Sequence, residues 1–479
     1  MKFYITTAIY YVNAAPHLGH AYEKICADVI ARWHKLKGED VYFLTGTDEN
    51  AQKNVNAAKQ AGIDVKKFVD MNSKKFIELC KVLNISNDDF IRTTELRHTK
   101  VVQKIFNLLY KKGDIYKGKY KGLYCVGCEA FLTKKGLQNG KCPEHNKEPE
   151  MIEEEAYFFK MSKYESKIKE LLKKNFVFPD YRAKEILNRV ESEGLKDLCV
   201  SRINLDWGIK VPFDDKHTIY VWLDALVNYI SGLNYPGAKF KKYWPADVHL
   251  IGKGINWFHS VIWPAILLSA GIKVPKMILV HGYINIEGKK MSKSLGEKVD
   301  PINLVNKYGS DSVKYFLIRE IPFGEDGDFS EKALKARING ELVNELGNLV
   351  NRSLSLACKF KGKISGKQEL KIDVKKIDNY FKNYELHKAI EEIFSFIRDV
   401  NKYVNDKEPW KLKDKELGNV LYNILESLRI ISILINPFMP ETSLKLNKQL
   451  GVKLGGLKQC KFDKFKGKIK KGEYLFKKV

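Results

Sequence analysis

Two short stretches carry residue types suited to handling a polyphosphate. In Pro16-His17-Leu18-Gly19-His20, two histidines three apart stand at the head of an expected helix and project to one face. Gly19 leaves bare backbone between them, and the helix N-terminus adds partial positive charge. Far downstream, Glu287 to Gly296 (EGKKMSKSLG) sets Lys289, Lys290 and Lys293 with Ser292 and Ser294 on one glycine-bracketed segment. Fixed imidazoles on one side and mobile lysines on the other would stabilise charge building on phosphoryl oxygens. A histidine near a helix start is by itself more often structural, and it is the lysine segment that makes the pair informative. No G-x-G-x-x-G follows the first expected strand and no G-x-x-x-x-G-K-[ST] occurs, which disfavours a dinucleotide site and a P-loop.

A third cluster has metal-ligand spacing. Cys125-x2-Cys128, thirteen residues, then Cys142-x2-His145 reads as two knuckles offering three thiolates and an imidazole tetrahedrally. Gly127 and Pro143 stand where tight turns are needed. With all four positions filled by protein, one zinc ion per chain would be structural. A DNA-reading finger would need a recognition helix between the second and third ligands, and the two glycines of EAFLTKKGLQNGK make a poor one. The other five cysteines are scattered, so a disulfide framework is not expected.

The elements that must position these residues are legible around them. FYITTAI (3–9) reads as a strand, LGHAYEKICADVIARWHKLKG as a helix closed by Gly38, and VYFLTGTD as the next strand, a βαβ unit. Its ligand crevice lies at the carboxyl ends of the strands, beside His17, Gly19, His20, Thr47 and Asp48. A chain of 479 residues predicts two to four domains. The formal net charge of +25 suits a polyanionic partner, although a general lysine bias of the surface would give the same balance. Beyond GDFS the periodicity becomes helical and predicts a bundle. No run of 18 apolar residues occurs, and the first residues read as a strand and not as a leader; no membrane partner and a cytoplasmic location are expected.

PHLGH and KMSKS (290–294) resemble the two signature motifs of class I aminoacyl-tRNA synthetases. TTAIYYVNAAPHLGH, GTDEN (46–50), YVWLDALVNYIS (220–231), WFHSVIWPA (257–265) and YFLIREIPFGEDGDFS (315–330) extend the resemblance to the methionyl-tRNA synthetase family over nearly the whole chain. The resemblance implies an α/β fold: a Rossmann-like parallel-sheet domain split by a zinc-knuckle insertion, then an all-α anticodon-binding bundle. The expected segments are 1–114 and 216–283 for the catalytic halves, 115–215 for the insertion, 284–339 for the lysine loop and stem contacts, and 340–479 for the bundle. The insertion is too short for the hydrolytic editing domain of the valine, isoleucine and leucine enzymes.

Family roles carried onto matching positions make His17, His20, Lys290 and Lys293 catalytic. Gly19, Gly252, Met291, Ser292 and Ser294 join them around ATP and its Mg²⁺. Ile9, Tyr11, Asp48, Trp222, Leu226, Tyr229 and His259 would surround L-methionine, with Asp48 on its ammonium; each aromatic taken singly is equally a core residue. Asn348, Arg352 and Trp410 would read the anticodon of tRNA(Met). No appended RNA-binding module and a monomer are the expectations. Two departures stand out: Gly254 where the family often has Asp, and Asn50-Ala51 where it has His-Gly. The rival readings are a nucleotidyltransferase sharing only H-x-G-H, which would not need the bundle, and a catalytically silent tRNA-binding relative, which would lose the histidines or the lysines.

Overall fold

The computed structural model describes residues 1–127, 130–132, 136–203, 205–290 and 299–479. The opening strand Lys2–Tyr11, rich in aromatic and β-branched residues, pairs in parallel with Asp40–Asp48, from Lys2 opposite Asp40 to Tyr11 opposite Asp48. Between them runs the helix Leu18–Leu36, which the chain leaves through Gly38 at φ +82°, a conformation only glycine adopts without strain.

These strands belong to a six-stranded sheet in the order Asp89–Arg92, Asp40–Asp48, Lys2–Tyr11, Val248–Gly252, Ile278–His281, Val177–Phe178, with every neighbouring pair parallel. Strand order reverses on either side of Lys2–Tyr11, so the ligand crevice of this topology opens where that strand and Val248–Gly252 end.

Residues between the two halves form an antiparallel sheet in the order Ala130–Leu132, Ile115–Cys125, Glu150–Phe159, Leu198–Cys199, and a smaller one from Ser201–Ile203, Lys210–Val211 and Asp214–Ile219. The span 115–215 is not a detached appendage, because its strand Val177–Phe178 returns to pair with Ile278 and Leu279 at the edge of the main sheet.

A continuous helical run follows, Glu331–Arg337, a π-helical stretch Ile338–Gly347, and Asn348–Lys359, which passes through position 340 without a break. Val374–Lys382, Leu386–Lys407, Asp414–Leu434 and Pro440–Leu450 complete the bundle. Asp414–Leu434 is long and apolar enough to cross a membrane, with a mean hydropathy of 1.3 over its most apolar 18 residues, but 94% of those are buried among its neighbours, where Glu426 and Arg429 pair with each other at 2.7 Å.

The bundle and the opening helix share one core. Trp33 stacks on Phe381 at 4.1 Å and donates its indole N–H to Asp378 at 3.0 Å. Nearby, Lys314 and Asp28 form a fully buried ion pair at 2.6 Å.

Candidate functional site

His17 caps the opening helix in an extended conformation. Its Nδ1 accepts the Gly19 N–H at 3.1 Å, and its own N–H donates to His20 Nδ1, also at 3.1 Å. A backbone N–H can only donate, so both Nδ1 atoms are acceptors and each neutral ring carries its hydrogen on Nε2. The rings stack 3.6 Å apart. A Cβ on residue 19 would lie 3.1 Å from His17 Nδ1, so glycine preserves the cap. Burial against Tyr10 and Phe76, then the proximity of His17 and Lys24, holds His20 well below the ordinary histidine pKa. Two neutral N–H donors therefore stand at a positive helix end.

One turn on, the buried Glu23 was not foreseen from sequence. Its Oε1 accepts from the Ala8 N–H and the Tyr10 hydroxyl, both at 2.8 Å, and its Oε2 lies 2.9 Å from His281 Nε2. His281 Nδ1 donates to the Gly282 carbonyl at 2.6 Å. This link joins the histidine-bearing helix to the strand that leads into the lysine segment. That segment starts as a hairpin, Ile284–Ile286 against Lys289–Lys290, turning through Glu287 (φ 49°) and Gly288 (φ 75°). Lys290 pairs with Asn285 through the backbone. Met291, Ser292, Lys293 and Ser294 lie outside the described residues. Gly252 ends its strand beside His281, whose Nε2 would be 3.5 Å from a Cβ there.

The residues expected around an amino acid lie about the carboxyl ends of the two central strands Lys2–Tyr11 and Asp40–Asp48. Tyr11 is the register partner of Asp48 and meets Trp222 edge-on at 6.4 Å, with Ile9 two residues earlier on its strand. Trp222 stacks on Phe258 at 3.6 Å and meets His259 edge-on at 6.3 Å. His259 Nδ1 donates to the Ile255 carbonyl at 3.0 Å, so Nε2 accepts, and the Tyr229 hydroxyl donates to it at 2.7 Å. Burial pushes the pKa of His259 down to about 4 and raises that of Tyr229, leaving both neutral. Leu226 is buried on the same helical segment as Trp222. Phe258 was not foreseen, because an aromatic beside a histidine has no signature of its own.

Both departures from the family pattern have partners. Asn50 donates to Asp224 Oδ2 at 2.7 Å, and Asp224 Oδ1 lies 2.6 Å from His98 Nε2. At Gly254 a Cβ would come within 2.4 Å of the Tyr283 hydroxyl, so that oxygen already fills the space beside the backbone.

Two expected clusters lie elsewhere. Cys125, Cys142 and His145 bring ligand atoms within 4.8 Å of one another, with sulfur to His145 Nδ1 distances of 4.0 and 3.8 Å. Those spacings suit ligands sharing one tetrahedral ion, and Gly127 permits the approach, since a Cβ there would meet His145 at 2.5 Å. Cys128 lies outside the described residues. On the bundle, Asn348 and Arg352 line an open cavity of about 680 Å³. Trp410, 58% exposed just past the helix Leu386–Lys407, is not among its lining residues.

Residues 3–149 and 134–354 match the family described as tRNA synthetases class I (M), and residues 367–474 match the anticodon-binding domain of tRNA ligases. A methionine–tRNA ligase from Caldanaerobacter subterraneus is 46% identical over 503 residues, covering 100% of this chain and 79% of its own. The chain belongs to the methionyl-tRNA synthetase family. A Thermotoga maritima methionine–tRNA ligase is 46% identical over 467 residues, 92% of this chain and 74% of its own. The Mycobacterium tuberculosis methionyl-tRNA synthetase in complex with methionyl-adenylate superposes with a TM-score of 0.94 at 38% identity, covering 99% of both chains. The family thus accounts for the doubly wound sheet, its insertion sheets and the helical C-terminal domain in one architecture.

Proposed function

We infer that this chain is a methionine–tRNA ligase. The carboxylate of L-methionine attacks the α-phosphorus of ATP, the bond to the departing diphosphate breaks, and the methionyl group then passes from the adenylate to the 3′ end of tRNA(Met). The observation that carries the reading is that one strand end touches both groups: Tyr10 meets His20 edge-on at 4.6 Å, while Tyr11 meets Trp222 at 6.4 Å and pairs in register with Asp48.

Each group has a chemical task. The Nε2–H groups of His17 and His20 donate to the phosphoryl oxygens as charge builds, and being neutral and fixed they need no reorganisation. Lys290 and Lys293 balance the charge of the diphosphate, whose Mg²⁺ arrives with ATP. Asp48 holds the substrate ammonium. The Tyr229–His259 pair offers the thioether a polar contact inside aromatic walls, which a leucine side chain cannot use. Cys125, Cys128, Cys142 and His145 hold a zinc ion that stabilises the insertion and meets no substrate. Asn348, Arg352 and Trp410 take the anticodon bases. A monomer acting in the cytoplasm, where translation occurs, belongs to the same reading.

ATP–pyrophosphate exchange across the twenty amino acids tests this. Methionine-dependent exchange is expected; exchange with another amino acid and none with methionine would overturn the substrate.

A further inference from the structure

Arg352 sits half-buried in the wall of the bundle cavity, and its surroundings are unusual for a guanidinium. Nη2 donates to Asn401 Oδ1 at 2.8 Å and to the Asn401 carbonyl at 3.2 Å, while Nη1 donates to Asn405 Oδ1 at 2.8 Å. Among the described residues no carboxylate pairs with it, and its Nε–H is buried without an acceptor. Arg398, in the same cavity, is the contrast: it is paired with both Glu345 and Glu391. Burial, with no opposing charge, lowers the pKa of Arg352. A buried N–H left open and a charge left unneutralised are costly unless a ligand completes them.

Asn401 is itself fixed. Its Nδ2 donates at 3.1 Å to two main-chain carbonyls, Ile397 on its own helix and Glu345 on the facing π-helical stretch. With the amide nitrogen committed, Oδ1 can only face the guanidinium.

We propose that Asn401 is a positioning residue for tRNA: its amide oxygen orients Arg352 without neutralising it, so that the intact charge and the second N–H of the exposed Nη1 await an electron-rich base edge or phosphate of the RNA. A carboxylate at the same position would cancel the charge of Arg352, and it would also lose the two N–H bonds to the Glu345 and Ile397 carbonyls that fix the amide. Neutral amides are thus the groups that hold the fork while leaving it attractive to a polyanion. This inference rests on the ligase reading above, and it deepens the part concerned with RNA.

Asn401→Asp tests this, since it keeps the size and adds the charge; its loss of the two Nδ2–H bonds is controlled by a thermal melt and by the Arg352→Ala background. Methionine-dependent pyrophosphate exchange is expected unchanged, with KM for tRNA raised tenfold or more, kcat altered less than twofold, and a salt dependence shallower by roughly one unit. In an Arg352→Ala background the same change is expected to have under a twofold effect, because Asn401 acts through Arg352. Wild-type charging by Asn401→Asp, or an equal penalty in both backgrounds, overturns the proposal. A lowered melting temperature with exchange and charging falling together overturns it as well, in favour of a structural role. Loss of methionine-dependent exchange in the wild-type protein would instead strike the ligase reading.

Discussion

At the scale of single residues, the site is controlled by which ring nitrogen carries a hydrogen. His17 and His20 are set by the cap, and His259 by the Ile255 carbonyl. Tyr229→Phe removes the donor to His259 and leaves a buried acceptor open, at a cost of about 1–3 kcal/mol; KM for methionine should rise while KM for ATP holds, as steady-state exchange would reveal. Neutral His259 also makes stability depend on pH. Its folded pKa of about 4 lies below the unfolded value near 6.5, so between those values the unfolded chain binds the extra proton. Stability is therefore complete above about 6.5 and is lost as pH falls towards 4, by up to about 1.4 kcal/mol per pH unit for this group. Urea midpoints for His259→Asn should show a flatter acid limb than wild type.

The histidine motif was legible in sequence because a cap, its glycine and its helix occupy consecutive positions. Glu23 and His281 were not, since nothing local reports that two residues 258 apart in the chain will share a hydrogen bond. Asn50 read as a departure from the family for the same reason: its partner Asp224 lies 174 residues away.

Elements divide along similar lines. The knuckles were readable because two C-x2-[CH] spacings encode two turns, and three of the four residues do converge. Cys142→Ser should release the metal and loosen the insertion, and elemental analysis of wild type should give close to one zinc per chain, with less than about half an equivalent contradicting the assignment. The edge strand Val177–Phe178 was invisible, being two residues long and set by the neighbour it finds at Ile278 and Leu279. The π-helical stretch Ile338–Gly347 was equally hidden, because its apolar pattern is that of any buried helix. The lysine segment reads in sequence as a glycine-bracketed loop; that it starts as a hairpin, turning through Glu287 and Gly288, was not legible.

For the whole molecule the question is how chemistry at one end relates to recognition at the other. Trp410→Ala should leave exchange within about twofold and lower charging about five- to 150-fold, since a lost base stack costs about 1–3 kcal/mol. Normal charging would remove Trp410 from the anticodon site. Lys314→Met acts on the junction instead. Burial alone would raise the pKa of Asp28, but the charges of Lys314 and Arg32 outweigh it and lower it. Losing Lys314 should cost about 3 kcal/mol, less what Arg32 recovers, and calorimetry should show an earlier melt with exchange and charging reduced in parallel.

The opening helix gives that junction a mechanical meaning. Its 19 residues make a rod about 28 Å long. One end bears the imidazoles, and the other is bolted to the bundle by Trp33 on Phe381. A tilt of the bundle under its cargo would therefore be felt along this helix, and the aromatic stack is the point at which it would reach the imidazole-bearing end.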